Sequence, residues 1–290
     1  MPARQRREEG VALILVLWVV ALLAIFAVSF VHGASTQTKI VRNDYDLARA
    51  RVLADTGVSL AILSILYQTP EARRLDGSMR ELTYEDATIR VRLQNEAGKI
   101  DLNHASPEVL ESLLRTLGSD ADAAAGLAAA VDDWKRRRLS GWNQLGDRAT
   151  MIGVVRPFLA LEELREVPGV TQEIYDRVSP FLTILSKSDR IDPLSAPREV
   201  LLSLPGADAR EVEAYVAARA EIGPDPTRLP GLDSIRAYLG NGMLAYVSIS
   251  SEGRVLPRAR FIRDATVSLL VAGGERFRFV AWQQGRDPDD

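Results

Sequence analysis

Val11-Ala12-Leu13-Ile14-Leu15-Val16-Leu17-Trp18-Val19-Val20-Ala21-Leu22-Leu23-Ala24-Ile25-Phe26-Ala27-Val28-Ser29-Phe30-Val31 is an uncharged apolar run of 21 residues, and it follows directly on Arg4-Gln5-Arg6-Arg7-Glu8-Glu9-Gly10. As an α-helix rising about 1.5 Å per residue, the run reaches ~30 Å, the thickness of a bilayer's hydrocarbon core. The arginines ahead of it favour a cytoplasmic N-terminus and place everything after residue 31 on the far side. A cleavable secretory signal normally has an apolar core of about 7–15 residues followed by a small-residue site. Here the small-residue candidate, Gly33-Ala34, lies beyond a much longer run. The expected result is a retained single-span anchor.

No proline interrupts the chain between Val11 and Pro70, so the helix is expected to continue out of the membrane to about Tyr67. Val41, Tyr45, Ala48, Val52, Thr56, Leu60, Leu63 and Tyr67 recur at steps of three and four, which sets a narrow apolar stripe on one helix face. Asp44, Asp46, Arg49, Arg51 and Asp55 occupy the other faces, and Gly33 and Gly57 are the soft points of a helix on the order of 85 Å long.

Beyond Pro70 the period drops to two. Ala87, Ile89, Val91 and Leu93 alternate with polar residues, as in a half-buried strand. The alternation returns near the C-terminus at Tyr246–Ser250. It continues with one parity through Ala259, Phe261, Ala265, Val267, Leu269 and Val271, then through Phe277, Phe279 and Ala281 after the Gly273-Gly274 turn. Strands at both ends with helix-like sequence between them predict one antiparallel sheet interrupted by an insertion. The expected fold is α+β. Residues 1–10 form a leader, 11–68 the membrane-spanning and amphipathic helix, 69–98 and 240–290 a helix-and-sheet body, and 99–239 an all-α insertion.

The insertion carries an internal repeat. Ile100-Asp101, Ala105, Glu108-Val109-Leu110 and Leu113 recur 91 residues later as Ile191-Asp192, Ala196, Glu199-Val200-Leu201 and Leu204. Each copy reads as a loop entering a helix, with Pro107 and Pro197 in the first turn, where a missing N–H costs nothing. Ile100 and Ile191 are therefore expected to be equivalent buried anchors.

These features together resemble one family. A short basic leader ending in Gly, an apolar helix starting at the next residue and an amphipathic extension are similar to the signal of type IV pilins and type II secretion pseudopilins. The resemblance implies cleavage by a prepilin peptidase between Gly10 and Val11, N-methylation of Val11, and a sheet packed on the C-terminal half of the long helix. Most of that superfamily carries Glu at the fifth mature position, where this chain has Leu15. The minor pseudopilin called general secretion pathway protein K resembles this chain in lacking that Glu and in its large size. Gly98-Lys99-Ile100-Asp101-Leu102-Asn103 and Leu161-Glu162-Glu163-Leu164-Arg165-Glu166-Val167-Pro168-Gly169-Val170-Thr171 resemble that family's insertion. The resemblance implies a minor pseudopilin that caps or initiates a periplasmic pseudopilus, held by one span in the bacterial inner membrane with its C-terminal domain in the periplasm. Its partners would be the I and J minor pseudopilins, the peptidase and the membrane.

Other function classes find less support. Net charge of −3 and a pI of about 5.6 give no global attraction for nucleic acid. The alternative reading, a membrane-anchored helix-hairpin-helix DNA-binding protein, rests on Pro168-Gly169, Pro205-Gly206 and Pro230-Gly231. At the second glycine of such turns, where backbone amides meet phosphate, this chain has Thr171, Asp208 and Asp233. The basic run Lys135-Arg136-Arg137-Arg138 is the local patch that could help. Without cysteine there is no thiolate chemistry, and the nucleophile-elbow, phosphate-loop and zinc-protease motifs do not occur. His32 and His104 sit in separate segments, and no catalytic residue is assigned. Members of the K family often place acids suited to Ca²⁺ after an Asp-Trp pair. Here Asp133-Trp134 is followed by four cations, so no calcium site is carried over and no cofactor is expected, Asp120, Asp122 and Asp147 being the remaining nearby acids.

The leader makes a direct prediction. A host with prepilin peptidase should yield a mature chain starting at Val11, and replacing Gly10 with a bulky residue should leave Met1 in place. Intact-mass measurement distinguishes these outcomes from a chain beginning near Ser35.

Overall fold

The structure, a computed structural model, describes residues 5–68, 74–84, 86–143, 157–223, 225–256, 259–271 and 273–285, with side chains described outside 5–12, 27–38, 84 and 140–143. Helix α1, Gln5–Leu66, starts six residues before Val11 and runs through the Gly10–Val11 junction without a break. Met1 to Arg4 of the leader lie outside the described residues, as do Asp147 and the side chains of Gly10, Val11 and His32. Among the described residues no helix is long and apolar enough to cross a membrane. Leu13–Phe26, the part of the apolar run whose side chains are described, is exposed throughout.

The C-terminal part of α1 lies on a five-stranded antiparallel sheet of order β1-β2-β5-β6-β7. The strands are β1 (Asp76–Tyr84), β2 (Ala87–Asn95), β5 (Tyr246–Val255), β6 (Ala259–Ser268) and β7 (Arg278–Gln284). β2 and β5 are paired from Ala87↔Val255 to Asn95↔Val247, although the chain between them builds a separate helical unit. Alternation behaves as expected on β2, β5 and β6. Ile89, Val91, Leu93, Val247, Ile249, Ala265 and Val267 turn to the helix and are buried.

The face that α1 presents differs from the stripe singled out in the sequence. Val41, Tyr45, Val52, Leu60, Leu63 and Tyr67 are all exposed. The buried face is Ala50, Ala54, Gly57, Val58, Ala61, Ile62 and Ile65. At about 100° per residue the two faces lie on opposite sides of the helix. The reason is distance. Gly57 approaches the sheet so closely that a Cβ there would overlap Ser251 Oγ and Ile89, and a Cβ at Gly253 would overlap the backbone of Ala50 and Ala54. Only small residues allow that approach, so the core face is poor in the large side chains that a hydrophobic pattern registers. Two ion pairs clamp the helix from either side, Arg263 Nε to Asp55 Oδ1 at 2.7 Å and Arg49 Nη2 to Asp86 Oδ1 at 2.6 Å.

A further expectation is corrected, and one strand is new. The alternation Phe277, Phe279, Ala281 does not hold, because β7 contains an extra residue at Val280: Phe279 pairs with Val267, while Trp282 pairs with Ala265. Strand β1 has no apolar alternation to announce it and forms by pairing with β2 after a shift between Asp76 and Met79.

The unit between β2 and β5 is not wholly helical. It contains α2 (Pro107–Thr116), α3 (Ala121–Asn143), α4 (Gln172–Val178), α5 (Arg198–Ser203) and α6 (Ala209–Ile222). It also contains a parallel pair of short strands, β3 (Ile100–Asp101) and β4 (Leu182–Thr183). Ile191 and Leu239 form the matching parallel bridge in the second copy. Ile100 and Ile191 are 1% and 2% exposed within one core, as equivalent anchors should be.

The close approach gives predictions of opposite sign. Gly253→Val or Gly57→Leu should destabilise the head by about 1–3 kcal/mol or more through overpacking. Gly126→Ala, in α3 with open space around it, should stabilise by about 0.5–1 kcal/mol. Urea unfolding with a constant m-value reads all three.

Candidate functional site

One surface and one junction have the geometry to act. The first is the outer face of α1, where Val41, Tyr45, Val52, Leu60, Leu63 and Tyr67 leave an apolar stripe in solvent while the opposite face is committed to the sheet. Its flanks carry Asp44 and Asp46, both without a described partner. A contiguous exposed apolar patch of this kind is the mark of a surface that meets another protein, a membrane or a ligand.

Two equivalent carboxylates organise the helical unit, and the second stands at its junction with the sheet. Asp101 is buried. Its Oδ1 accepts from the Asn103 amide at 2.9 Å and faces His104 Nδ1 at 3.0 Å, and its Oδ2 accepts from Ser186 Oγ at 3.1 Å and the Lys187 amide at 2.8 Å. Asp192, its counterpart, accepts from the Leu194 amide at 3.2 Å and Ser195 Oγ at 2.6 Å. Each copy also sends a buried cation from its longer helix to the same carbonyl. Lys135 Nζ donates to Ala105 O at 2.8 Å, and Arg219 Nη1 donates to Ala196 O at 2.8 Å and Pro193 O at 2.6 Å. Burial lowers the Lys135 pKa, with Asp132 and Asp101 opposing that shift. Burial likewise raises the Asp192 carboxyl, against the Ser195 hydroxyl that holds it down. The sequence pattern showed Ile-Asp and Ala in both copies; the cations were hidden, because one is Lys and the other Arg at different offsets.

The second copy is seated on the sheet through backbone contact. Gln94 Nε2 donates to Ser195 O at 2.8 Å, and the Asp192 amide donates to Ala97 O at 2.9 Å. Arg219 Nε lies 3.5 Å from Asp76 Oδ2 of β1. A Cβ at Gly98 would overlap Ser195 backbone, and one at Gly242 would overlap Ala97 and Asp192.

The residues that suggested DNA binding are engaged within the chain. Thr171 Oγ1 accepts from the Ile174 amide at 3.2 Å and Asp208 Oδ1 from the Arg210 amide at 2.8 Å, so both cap helices at the amides a phosphate would need. Glu211 accepts from the Asp233 and Ser234 amides. A fourth turn of this kind, not marked by Pro-Gly, joins α2 to α3, where Gly118 has φ +94° and Asp120 Oδ1 accepts from the Ala123 amide at 2.9 Å. The basic run is split: Lys135 is buried, Arg136 pairs with Asp132 and Asp133, and Arg138 reaches Glu163 at 3.1 Å across the Trp134 ring.

Among the described residues no three His, Asp or Glu side chains converge as metal ligands. Asp132 and Asp133 are answered by Lys135 and Arg136, a donor set that repels a divalent cation. A void of about 30 Å³ in the helical unit is lined by Leu110, Leu113, Val131, Ile174, Val178 and their neighbours without a polar anchor. A carbon-lined space of about one water's size stays dry.

Comparison with known proteins follows this geometry. Residues 90–187, from β2 through the first copy of the repeat, match the family model for type II secretion system (T2SS), protein K. Type II secretion system protein K of Klebsiella pneumoniae is 24% identical over 315 aligned positions, covering 97% of this chain and 94% of that protein. A chain in the crystal structure of the GspK-GspI-GspJ complex from the enterotoxigenic Escherichia coli type 2 secretion system superposes with a TM-score of 0.52 at 14% identity. That match covers 86% of this chain and 100% of that one, a likeness of fold. The family model and the Klebsiella protein carry the same description, and the solved structure is alike in fold.

The junction predicts a large cost for losing a buried cation. Arg219→Met strands two carbonyls and removes the charge facing Asp192 and Asp76, and should destabilise by about 3–5 kcal/mol in urea unfolding. Asp192→Asn tests the carboxyl itself. Because the native pKa lies above the ordinary value of about 3.9, the neutral form favours folding in acid and that advantage fades as pH rises through the native value. Wild-type stability should therefore fall relative to Asp192→Asn across that interval.

Proposed function

We propose that this chain is a minor pseudopilin of the K type in a type II secretion system, acting by packing against other subunits and not by catalysis. Residues 1–10 are its leader, cut by a prepilin peptidase between Gly10 and Val11, with Val11 then N-methylated. The apolar helix that begins at Val11 holds it in the bacterial inner membrane as a single span, and the sheet and helical unit face the periplasm. Partners are the I and J minor pseudopilins, and the assembled tip caps or initiates the pseudopilus.

The observation that carries this reading is the division of α1 into two faces. One is consumed by its own sheet; the other keeps six large apolar side chains in solvent beyond the membrane segment. A helix that must join a bundle of like helices needs such a second face. Leu15 supports a position at the tip. A carboxylate at membrane depth is tolerable only when paired, and a first-entering subunit has no neighbour above it to supply the partner.

The test separates assembly from folding. Val52 is 64% exposed, so Val52→Asp should change the stability of the head by no more than about 0.5 kcal/mol. The same substitution should abolish co-purification with the I and J subunits from membranes and stop export. Wild-type assembly with Asp at 52 would refute the stripe as the contact face.

A further inference from the structure

Asn241-Gly242 is the one Asn-Gly pair in the chain, and it stands in the loop that leads into β5. Both residues are exposed, and residues 240–245 form neither helix nor strand. The loop is tied on both sides, by the Gly240 amide donating to Ile191 O at 3.0 Å and the Ala245 amide donating to Met243 O at 2.8 Å. Between these ties neither the Asn241 side chain nor the Gly242 amide bonds to any described residue. Other asparagines are held. Asn103 donates to Phe158 O at 3.0 Å and accepts from the Phe158 amide at 2.8 Å, and the amide that follows it, that of His104, donates to Asp101 O at 3.0 Å. Asn95 Oδ1 accepts from the Ala97 amide at 3.2 Å. Asn43 lies inside α1, where the next amide belongs to the helical ladder.

That freedom permits one reaction. The Gly242 backbone nitrogen, deprotonated by hydroxide, attacks Asn241 Cγ, and glycine puts no side chain in the way. A nitrogen–carbon bond forms, the Cγ–Nδ2 bond breaks, and Nδ2 leaves as ammonia, closing a succinimide ring. Water opens the ring at either carbonyl to give aspartate or isoaspartate. One water is consumed and one ammonia released, and nothing is oxidised or reduced.

The site of the reaction gives it a consequence. A Cβ at Gly242 would lie 2.5 Å from Ala97 Cβ and 2.6 Å from Asp192 Cβ, so the main chain has no slack there. Isoaspartate lengthens the main chain by one carbon directly before that contact. It also adds a carboxylate near Asp192, whose amide makes the seam's bond to Ala97 O at 2.9 Å. We propose that Asn241-Gly242 is a site of spontaneous hydrolytic modification, and that its isoaspartate form loosens the seam between sheet and helical unit. The chemistry is independent of the pseudopilin reading.

The purified full-length chain, aged in detergent at neutral and at mildly alkaline pH in oxygen-labelled water, tests this by peptide mapping and deuterium exchange. Loss of the amide at 241 is expected, faster at the higher pH, with label in the new carboxyl group and with Asn95 and Asn103 unchanged. Exchange at the Asp192 amide should quicken as isoaspartate accumulates. Asn241→Gln, whose longer side chain closes a ring far more slowly, should keep its amide and its slow exchange through the same ageing. An amide at 241 that lasts as long as those of Asn95 and Asn103 overturns the modification site. Isoaspartate at 241 with unchanged exchange at Asp192, or equal quickening in Asn241→Gln, overturns its effect on the seam.

Discussion

The head depends on how closely α1 can approach β5. Gly57 meets the Ser251 and Ile89 side chains and Gly253 meets the Ala50 and Ala54 backbone across that contact, with Ala50, Ala54 and Ala61 completing the small-residue face. Dispersion falls steeply with distance, so an approach this close brings the sheet's aliphatic side chains into contact along the whole helix. It has a cost. Ser251 Oγ is fully buried beneath the helix without a hydrogen-bond partner. The sheet accepts that unsatisfied hydroxyl because a larger separation would leave Ile89, Val91, Ile249 and Val267 poorly packed.

That constraint explains which parts of the fold could be read from the chain. Three strands show their alternation because Ile89, Val91, Leu93, Val247, Ile249 and Val267 hold buried positions on them, and the repeat is legible because Ile-Asp keeps its spacing. The packing face of α1 is illegible for a physical reason: where backbones must touch, the informative residues are Gly and Ala, which carry little hydrophobic signal. The large residues at steps of three and four belong to the face left in solvent. Likewise β1 is specified by its neighbour, and the bulge at Val280 has no local signature, since any residue can occupy it.

The candidate site divides the same way. The carboxylates Asp101 and Asp192 stand out by position, but the cations that answer their loops lie 34 and 27 residues further along the chain and differ in type. A helical unit of this kind is read correctly in outline and incompletely in its polar wiring, because buried pairing depends on three-dimensional closure. The turns show the converse. Their glycines suggested a phosphate-binding hairpin, and the side chains two residues on, Thr171 and Asp208, instead close the helices on themselves.

The seating of the second copy on the sheet has a mechanical meaning. Gly98 lets backbone rest on the Ser195 backbone and Gly242 fits against Ala97 and Asp192 at the two crossings between units, while Gln94 bonds the Ser195 main-chain oxygen and Arg219 faces Asp76 across the seam. No flexible tether separates the parts at these crossings. A displacement delivered along α1 is therefore transmitted to the far end of the helical unit without lost travel, as along the shank of a stiff tool. Stiffness of this kind is a property of the glycines, and a single added methyl at the seam would introduce play.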